Sequence, residues 1–284
     1  MGVDTWRTLW RVAGVPGGHR VLEVGDGWRG EWFPAHGVMA VEGHPAGEHE
    51  LARPGSLVGA WKGLREALSA FGGEFVGTSR VDLTVTYRFP TPAHGRAFFA
   101  GMAAIELPRC ETTRRGSPVR SVWWTGARSR AILARVYDKG VERGHGEAFE
   151  LGRLEDQRRF RHGRRPDLDA VADGEWCRDR FRARFEPVMR SVEGVRAASF
   201  AVLAQAIADE ARYGYRDVRE AERLAGALVL LHGGAGEAYS RRTFYRRRAE
   251  LRAAGFVLAD DVIEPVEVKL DEVVGAAIEA EGWS

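Results

Sequence analysis

Arg80-Val81-Asp82-Leu83-Thr84-Val85-Thr86-Tyr87 is the stretch that most constrains how this 284-residue chain can fold. Apolar and polar residues alternate along it at period two. The pattern predicts a strand with Val81, Leu83, Val85 and Tyr87 on one face and Arg80, Asp82, Thr84 and Thr86 on the other. Such a strand needs a sheet beside it and a core beneath its apolar face. An aspartate in mid-strand, where that residue type is disfavoured, calls for a specific reason.

The flanking sequence supplies candidates for the sheet. Val21 to Val24, Trp28 to Phe33 and Val38 to Val41 read as short β pieces, punctuated by Gly25, Gly27, Pro34 and Gly37, and so as a small antiparallel meander. Val119 to Thr125, Ala131 to Tyr137 and Glu150 to Phe160 read as further strands. Leu57 to Phe71 carries an apolar stripe at helical spacing and stops at Gly72-Gly73. Pro92 to Ala104 reads as a helix with proline at its start. After Gly163 the period becomes helical, over 174–191, 197–212 and 218–231. The expected fold class is therefore α+β: an antiparallel sheet domain with flanking helices over 1–165, then a mainly helical region over 166–284. The length suits two domains or one large one.

The helical region ends distinctively. Ser240 is placed as an N-cap, and six arginines follow it before Gly255 (Arg241, Arg242, Arg246, Arg247, Arg248 and Arg252). Phe256-Val257-Leu258 starts an extended piece. A helix over 218–231, a glycine-rich turn over 233–236, a basic helix and a strand give the order of a helix-turn-helix with a rudimentary wing, spanning about 218–260. An Arg-rich helix on the outside of an ordinary bundle gives the same string.

Charge narrows the classes. The net charge is only +2, and all but three of the 42 cations are arginine. From Arg109 to Arg165 there are 15 Arg/Lys against 7 Asp/Glu. Guanidinium pairs bidentately with phosphate, so a basic middle points to a phosphodiester partner. No apolar run is long enough for a membrane span, and Met1 to Trp10 has the wrong character for a signal peptide. Cys110 and Cys177 stand too far apart for a CxxC site, which makes a reducing cytoplasm the default compartment. Phosphate-loop, dinucleotide, GxSxG and HExxH motifs are absent, and the eight histidines form no His-x-His pair.

Polar residues inside otherwise apolar strands remain to be explained. Asp82 and Glu155 are hard-oxygen donors that suit Mg²⁺ or Mn²⁺, which polarises a scissile phosphate. Tyr137, at the end of its strand, is a nucleophile that can form a phosphotyrosine. Lys139 follows two residues later, able to stabilise developing charge. The structural alternative is simple ion pairing, because Arg80, Arg135 and Arg153 each lie two residues from Asp82, Tyr137 and Glu155. Tyr87, Tyr213, Tyr215, Tyr239 and Tyr245 compete for the nucleophile's role, Tyr213 and Tyr215 foremost because they share a helix end.

Taken in order, Ser79-Arg80-Val81-Asp82, Trp124-Thr125-Gly126-Ala127-Arg128-Ser129, Ala134-Arg135-Val136-Tyr137-Asp138-Lys139-Gly140 and Gly152-Arg153-Leu154-Glu155-Asp156-Gln157 resemble rolling-circle replication initiators. The resemblance is to the Rep_trans plasmid type and the filamentous-phage type. Ser240 to Gly255 resembles a segment near the end of the phage-type members. The likeness covers about 75–260 and leaves the first 75 residues unmatched.

The resemblance implies a nicking-endonuclease domain and a strand transferase that cuts one DNA strand at an origin. Tyr137 would become linked to the 5′ phosphate, assisted by Lys139, with Mg²⁺ or Mn²⁺ on Asp82 and Glu155. Arg80, Arg128, Arg130, Arg135, Arg153, Arg241, Arg242, Arg246 and Arg247 are the expected DNA contacts, on single and double strands. A host helicase and a second copy of the chain are open as further partners, and phage, plasmid and integrated element are open as the host element. A second expectation, from another class, is a DNA-binding regulator without catalysis, in which the same acids are buried structural pairs.

Overall fold

A computed structural model describes residues 2–13, 15, 21–24, 27–46, 51–69, 71–127, 132–140, 148–161, 163–232, 240–259, 262 and 264–279, without the side chains of residues 132, 133 and 241. The protein is mixed α+β. Its strands are β1 (Gly2–Arg11), β2 (Val21–Glu23), β3 (Trp28–Phe33), β4 (Val38–Gly43), β5 (Glu74–Arg88), β6 (Cys110–Arg115), β7 (Ser121–Gly126), β8 (Ile132–Asp138), β9 (Leu151–Arg159), β10 (Arg196–Ala198), β11 (Phe256–Leu258) and β12 (Glu267–Lys269). Its helices are α1 (Leu57–Ser69), α2 (Pro92–Ala104), α3 (Leu168–Ala172), α4 (Gly174–Val192), α5 (Phe200–Arg212), α6 (Val218–His232), α7 (Arg241–Ala253) and α8 (Leu270–Glu279). One nine-stranded sheet has the order β2-β3-β4-β1-β5-β9-β8-β7-β6, and a second has the order β11-β10-β12. Among the described residues, no helix is long and apolar enough to cross a membrane.

The expected division at 165/166 marks a change of composition along the chain. Grouped by contact, the chain forms two discontinuous units, 1–86 with 154–185 and 278–284, and 87–153 with 186–277. Strands β5 and β9 contribute residues to both.

In the first unit the middle strand is one the periodicity does not announce. β1 pairs antiparallel with β4 and with β5, and its register against β5 shifts between Val3 and Thr5, Arg7 and Thr8, and Leu9 and Trp10. Each bulge breaks the two-residue alternation, so apolar residues do not recur at even spacing. Trp10, Met39, Val41, Leu64 and Leu68 form its core, with α1 supplying the leucines. Buried indoles need acceptors, and threonines provide them: Trp6 Nε1 donates to Thr78 Oγ1 at 3.0 Å, and Trp10 Nε1 to Thr8 Oγ1 at 2.9 Å. Along α4, Cys177, Phe181 and Phe185 are fully buried, the two rings 4.6 Å apart.

In the second unit β6, β7 and β8 form an antiparallel ladder. Val122, Trp124, Ala134 and Val136 are buried on one of its faces. Trp124 Nε1 donates to Ile105 O, just after α2, at 3.2 Å. Helix α2 comes so close to the next segment that a Cβ on Gly95 would sit 2.0 Å from Phe149 O, which is why that turn is glycine. Helices α5, α6 and α7 enclose Leu203, Ile207, Leu224, Leu228 and Leu251. The stretch read as a helix from 197 begins as β10, and the helix itself starts at Phe200. β11 pairs in parallel with β10, which pairs antiparallel with β12, so β10 lies between the two later strands.

Candidate functional site

β5 and β9 build the first part of the site. Phe160 N–H donates to Ser79 O at 2.8 Å, and Phe89 N–H to Glu150 O at 3.0 Å. Equal lengths of chain separate these two bonds on either strand, so the antiparallel pairing runs without a net bulge and sets Thr84 opposite Glu155. By the same count this is a non-hydrogen-bonded pair, the kind in which side chains approach most closely. Asp82 lies two residues from Thr84 and so shares its face. Counted from those two bonds, Asp82 and Glu155 share one face of the sheet.

Both acids are fully buried, as is Thr84. Asp82 accepts a fork from Arg80 on its own strand: Nε reaches Oδ1 at 2.9 Å, and Nη2 bonds Oδ2. Arg80 Nη1 also bonds Glu42 Oε1 on β4, at 3.1 Å. Burial draws the Arg80 pKa down, but the bond and charge of Asp82 and the charges of Glu42 and Glu155 outweigh it, leaving the guanidinium more firmly protonated than an ordinary arginine. Thr84 Oγ1 makes no hydrogen bond among the described residues.

One residue on, the opposite face of β9 carries a contrasting acid. Asp156 is fully buried and bonded by Arg158 and, at 2.9 Å, by Arg184 Nε of α4. Its burial pushes the carboxyl up, against the pull of the two guanidiniums. This acid ties the sheet to the helix over it.

Tyr137 and Lys139 belong to the second unit. Tyr137 is half-buried at the end of β8, opposite Ser121 of β7, and the Arg135 guanidinium lies 4.7 Å from its ring centroid. Lys139 is 5% exposed. The aspartate between them has a structural role: Asp138 Oδ1 accepts from Gly140 N–H at 3.0 Å and Oδ2 from Phe149 N–H at 2.9 Å, closing the chain after β8. Further along the same ladder, opposite Ala134 and Arg135, Trp124 is buried while Trp123 stays half-buried under the Arg115 guanidinium, 4.1 Å from its ring.

The expected DNA contacts divide. Arg153 is fully buried and has no surface to offer a phosphate, a correction to its expected place. Its strand lies inside the sheet rather than at an edge. Arg80 is engaged by Asp82 and Glu42. On α7, Ser240 Oγ caps the helix by accepting from Thr243 N–H at 3.3 Å. Arg242 and Arg246 are exposed, whereas Arg247 turns inward to Glu250 at 2.7 Å. Glu250 also faces Arg223 of α6 at 3.5 Å, and the Arg247 bond holds its carboxyl below the usual range. Arg128 and Arg130 lie outside the described residues, as does the side chain of Arg241.

Of the competing tyrosines, Tyr213 and Tyr215 are 65% and 83% exposed, flanking Gly214 (φ 73°). They line an open groove of about 550 Å³ with Val202, Ala206 and Pro265. Thr84 was not legible as a site residue from sequence, where it reads as one more β-former.

Asp82, Glu155 and Thr84 are oxygen donors of the type Mg²⁺ and Mn²⁺ take, on one face of adjacent strands. No group of three or more His, Cys, Asp and Glu able to hold a metal ion occurs among the described residues. A cation here would rest on two carboxylates, with water, hydroxyl or phosphate completing its shell, as Mg²⁺ commonly does. Comparisons with protein-family models, curated proteins and solved structures find no match to this chain.

Proposed function

We propose that this chain is a DNA strand transferase that starts rolling-circle replication by nicking one strand at an origin. One observation carries the reading most. The strands bearing the four motifs, β5, β9, β8 and β7, are consecutive in the sheet although they are scattered along the sequence. A Mg²⁺ or Mn²⁺ ion on Asp82 and Glu155 would supply positive charge to the scissile phosphate. The Tyr137 hydroxyl attacks phosphorus and gives up its proton. The bond from phosphorus to the 3′ oxygen breaks, leaving a 5′-phosphotyrosine and a 3′ hydroxyl that primes synthesis. Arg135, over the Tyr137 ring, fixes the ring and sets positive charge beside the phenol. Lys139 offsets charge that develops on the phosphate. Arg242 and Arg246 hold duplex phosphates beside a helix-turn-helix over 218–260, with its winged element part of the proposal.

Covalent trapping tests this reading. Labelled single-stranded oligonucleotides from candidate origin DNA are incubated with the protein and Mn²⁺ or EDTA, then run on a denaturing gel beside Tyr137→Phe. A metal-dependent adduct lost in Tyr137→Phe is the expected result. An adduct that survives moves the nucleophile to Tyr213 or Tyr215. No adduct, with duplex binding intact, refutes the enzyme. The second reading, a DNA-binding regulator without catalysis, is favoured by one observation: Asp82 is buried and forked by Arg80, as a structural pair would be.

A further inference from the structure

Resting on the cation site proposed above, we infer that the Arg80 guanidinium occupies the Asp82 oxygens of that site and that a divalent ion must displace it from them, Thr84 then contributing its hydroxyl to the ion's shell. Three observations lead there. First, both Asp82 oxygens are taken by one guanidinium, at Nε and Nη2. An inner-sphere ion and this fork compete for the same lone pairs. Second, Arg80 has somewhere to go: its side chain is 18% exposed and already bonds Glu42, whose side chain is 36% exposed. A rotation toward Glu42 keeps the charge paired and vacates the lone pairs that the fork occupies. Third, Thr84 is fully buried yet its Oγ1 makes no hydrogen bond among the described residues. A buried hydroxyl that forgoes its hydrogen bond is destabilising unless something else fills that role. It lies on the Asp82 face, directly opposite Glu155, where a third hard oxygen would be wanted.

The arrangement makes Arg80 a positioning residue rather than a catalytic one. With the ion absent it holds the Asp82 carboxylate in place. With the ion bound it is released toward Glu42. A salt-bridge arginine with no such part to play would affect folding alone.

The experiment is a Mn²⁺ titration of the purified full chain at about pH 8, where carboxylates are ionised, read by water-proton relaxation, with no DNA present. Arg80→Met removes the competitor and is expected to tighten Mn²⁺ binding by about tenfold or more, the equivalent of one charge-assisted hydrogen bond. Its thermal midpoint should fall without metal and recover in Mn²⁺ more than wild type gains. Thr84→Val should weaken binding several-fold, while Thr84→Ser keeps it. Should Arg80→Met fail to fold, Arg80→Lys replaces it, since an ammonium cannot form the fork. Wild type binding Mn²⁺ with Arg80 variants equal or weaker overturns the displacement while leaving the cation site standing. No Mn²⁺ binding by wild type or any variant removes the site itself. Equal binding by Thr84→Val and wild type removes Thr84 from the shell.

Discussion

Asp156 and Asp82 are both fully buried, and each is bonded by an arginine two residues away on its own strand, yet the structure gives them different work. Asp156 has a second guanidinium from the covering helix, Arg184 at 2.9 Å, and no part in the proposed chemistry. Replacing it by asparagine keeps the shape and removes the charge. The loss is two charge-assisted bonds at about 1.5–3 kcal/mol each. Arg158 and Arg184 are 15% and 25% exposed and regain some water, which offsets part of it. A net loss of about 3 kcal/mol follows, within the range for breaking a buried pair. For a chain of this size that is a fall in thermal midpoint of about 6–12 °C. Circular dichroism melts of Asp156→Asn measure it. The triple variant Asp156→Leu, Arg158→Met, Arg184→Met should recover most of the loss, because no buried charge is left behind. A midpoint within about 2 °C of wild type for the single variant, less than 1 kcal/mol at this size, would refute the reasoning. So would a triple variant as unstable as the single one.

Two further predictions concern titrating groups. Burial pushes the Cys177 thiol up to about 12, and its side chain is fully buried. A thiol reagent at neutral pH should therefore modify the partly exposed Cys110 in the native protein and reach Cys177 only after denaturation. The Glu250 carboxyl is held below its ordinary value of 4.5 by the Arg247 bond, so its contribution is present above that value and lost as pH falls through the lowered one. Wild type should exceed Glu250→Gln in thermal midpoint at neutral pH by the small amount a partly exposed pair gives, and the difference should close below about pH 4. An equal difference at both pH values would show that packing, not charge, is what the substitution removes.

The local rules carried much of the secondary structure. Thr91 and Pro92 set the start of α2, the 3.6-residue stripes set α1, α5 and α6, and Ser240 set α7, because caps and periodicity act within a few residues. The period-two run at 80–87 announced β5 and its polar face, although the strand itself runs Glu74–Arg88. β1 escaped because its three register shifts put apolar residues out of step, and β6 because Cys-Glu-Thr-Thr-Arg-Arg, an edge strand, has little apolar content to alternate. The sequence by itself therefore determined most of the longer helices, several of the strands and which residue types could do chemistry. It could not determine partners: that Arg80 forks Asp82, that Thr84 faces Glu155, that Arg153 is buried and that Arg247 turns to Glu250. Those depend on which strands become neighbours and in what register, and pairing is settled by the burial of the whole sheet rather than by any window of sequence.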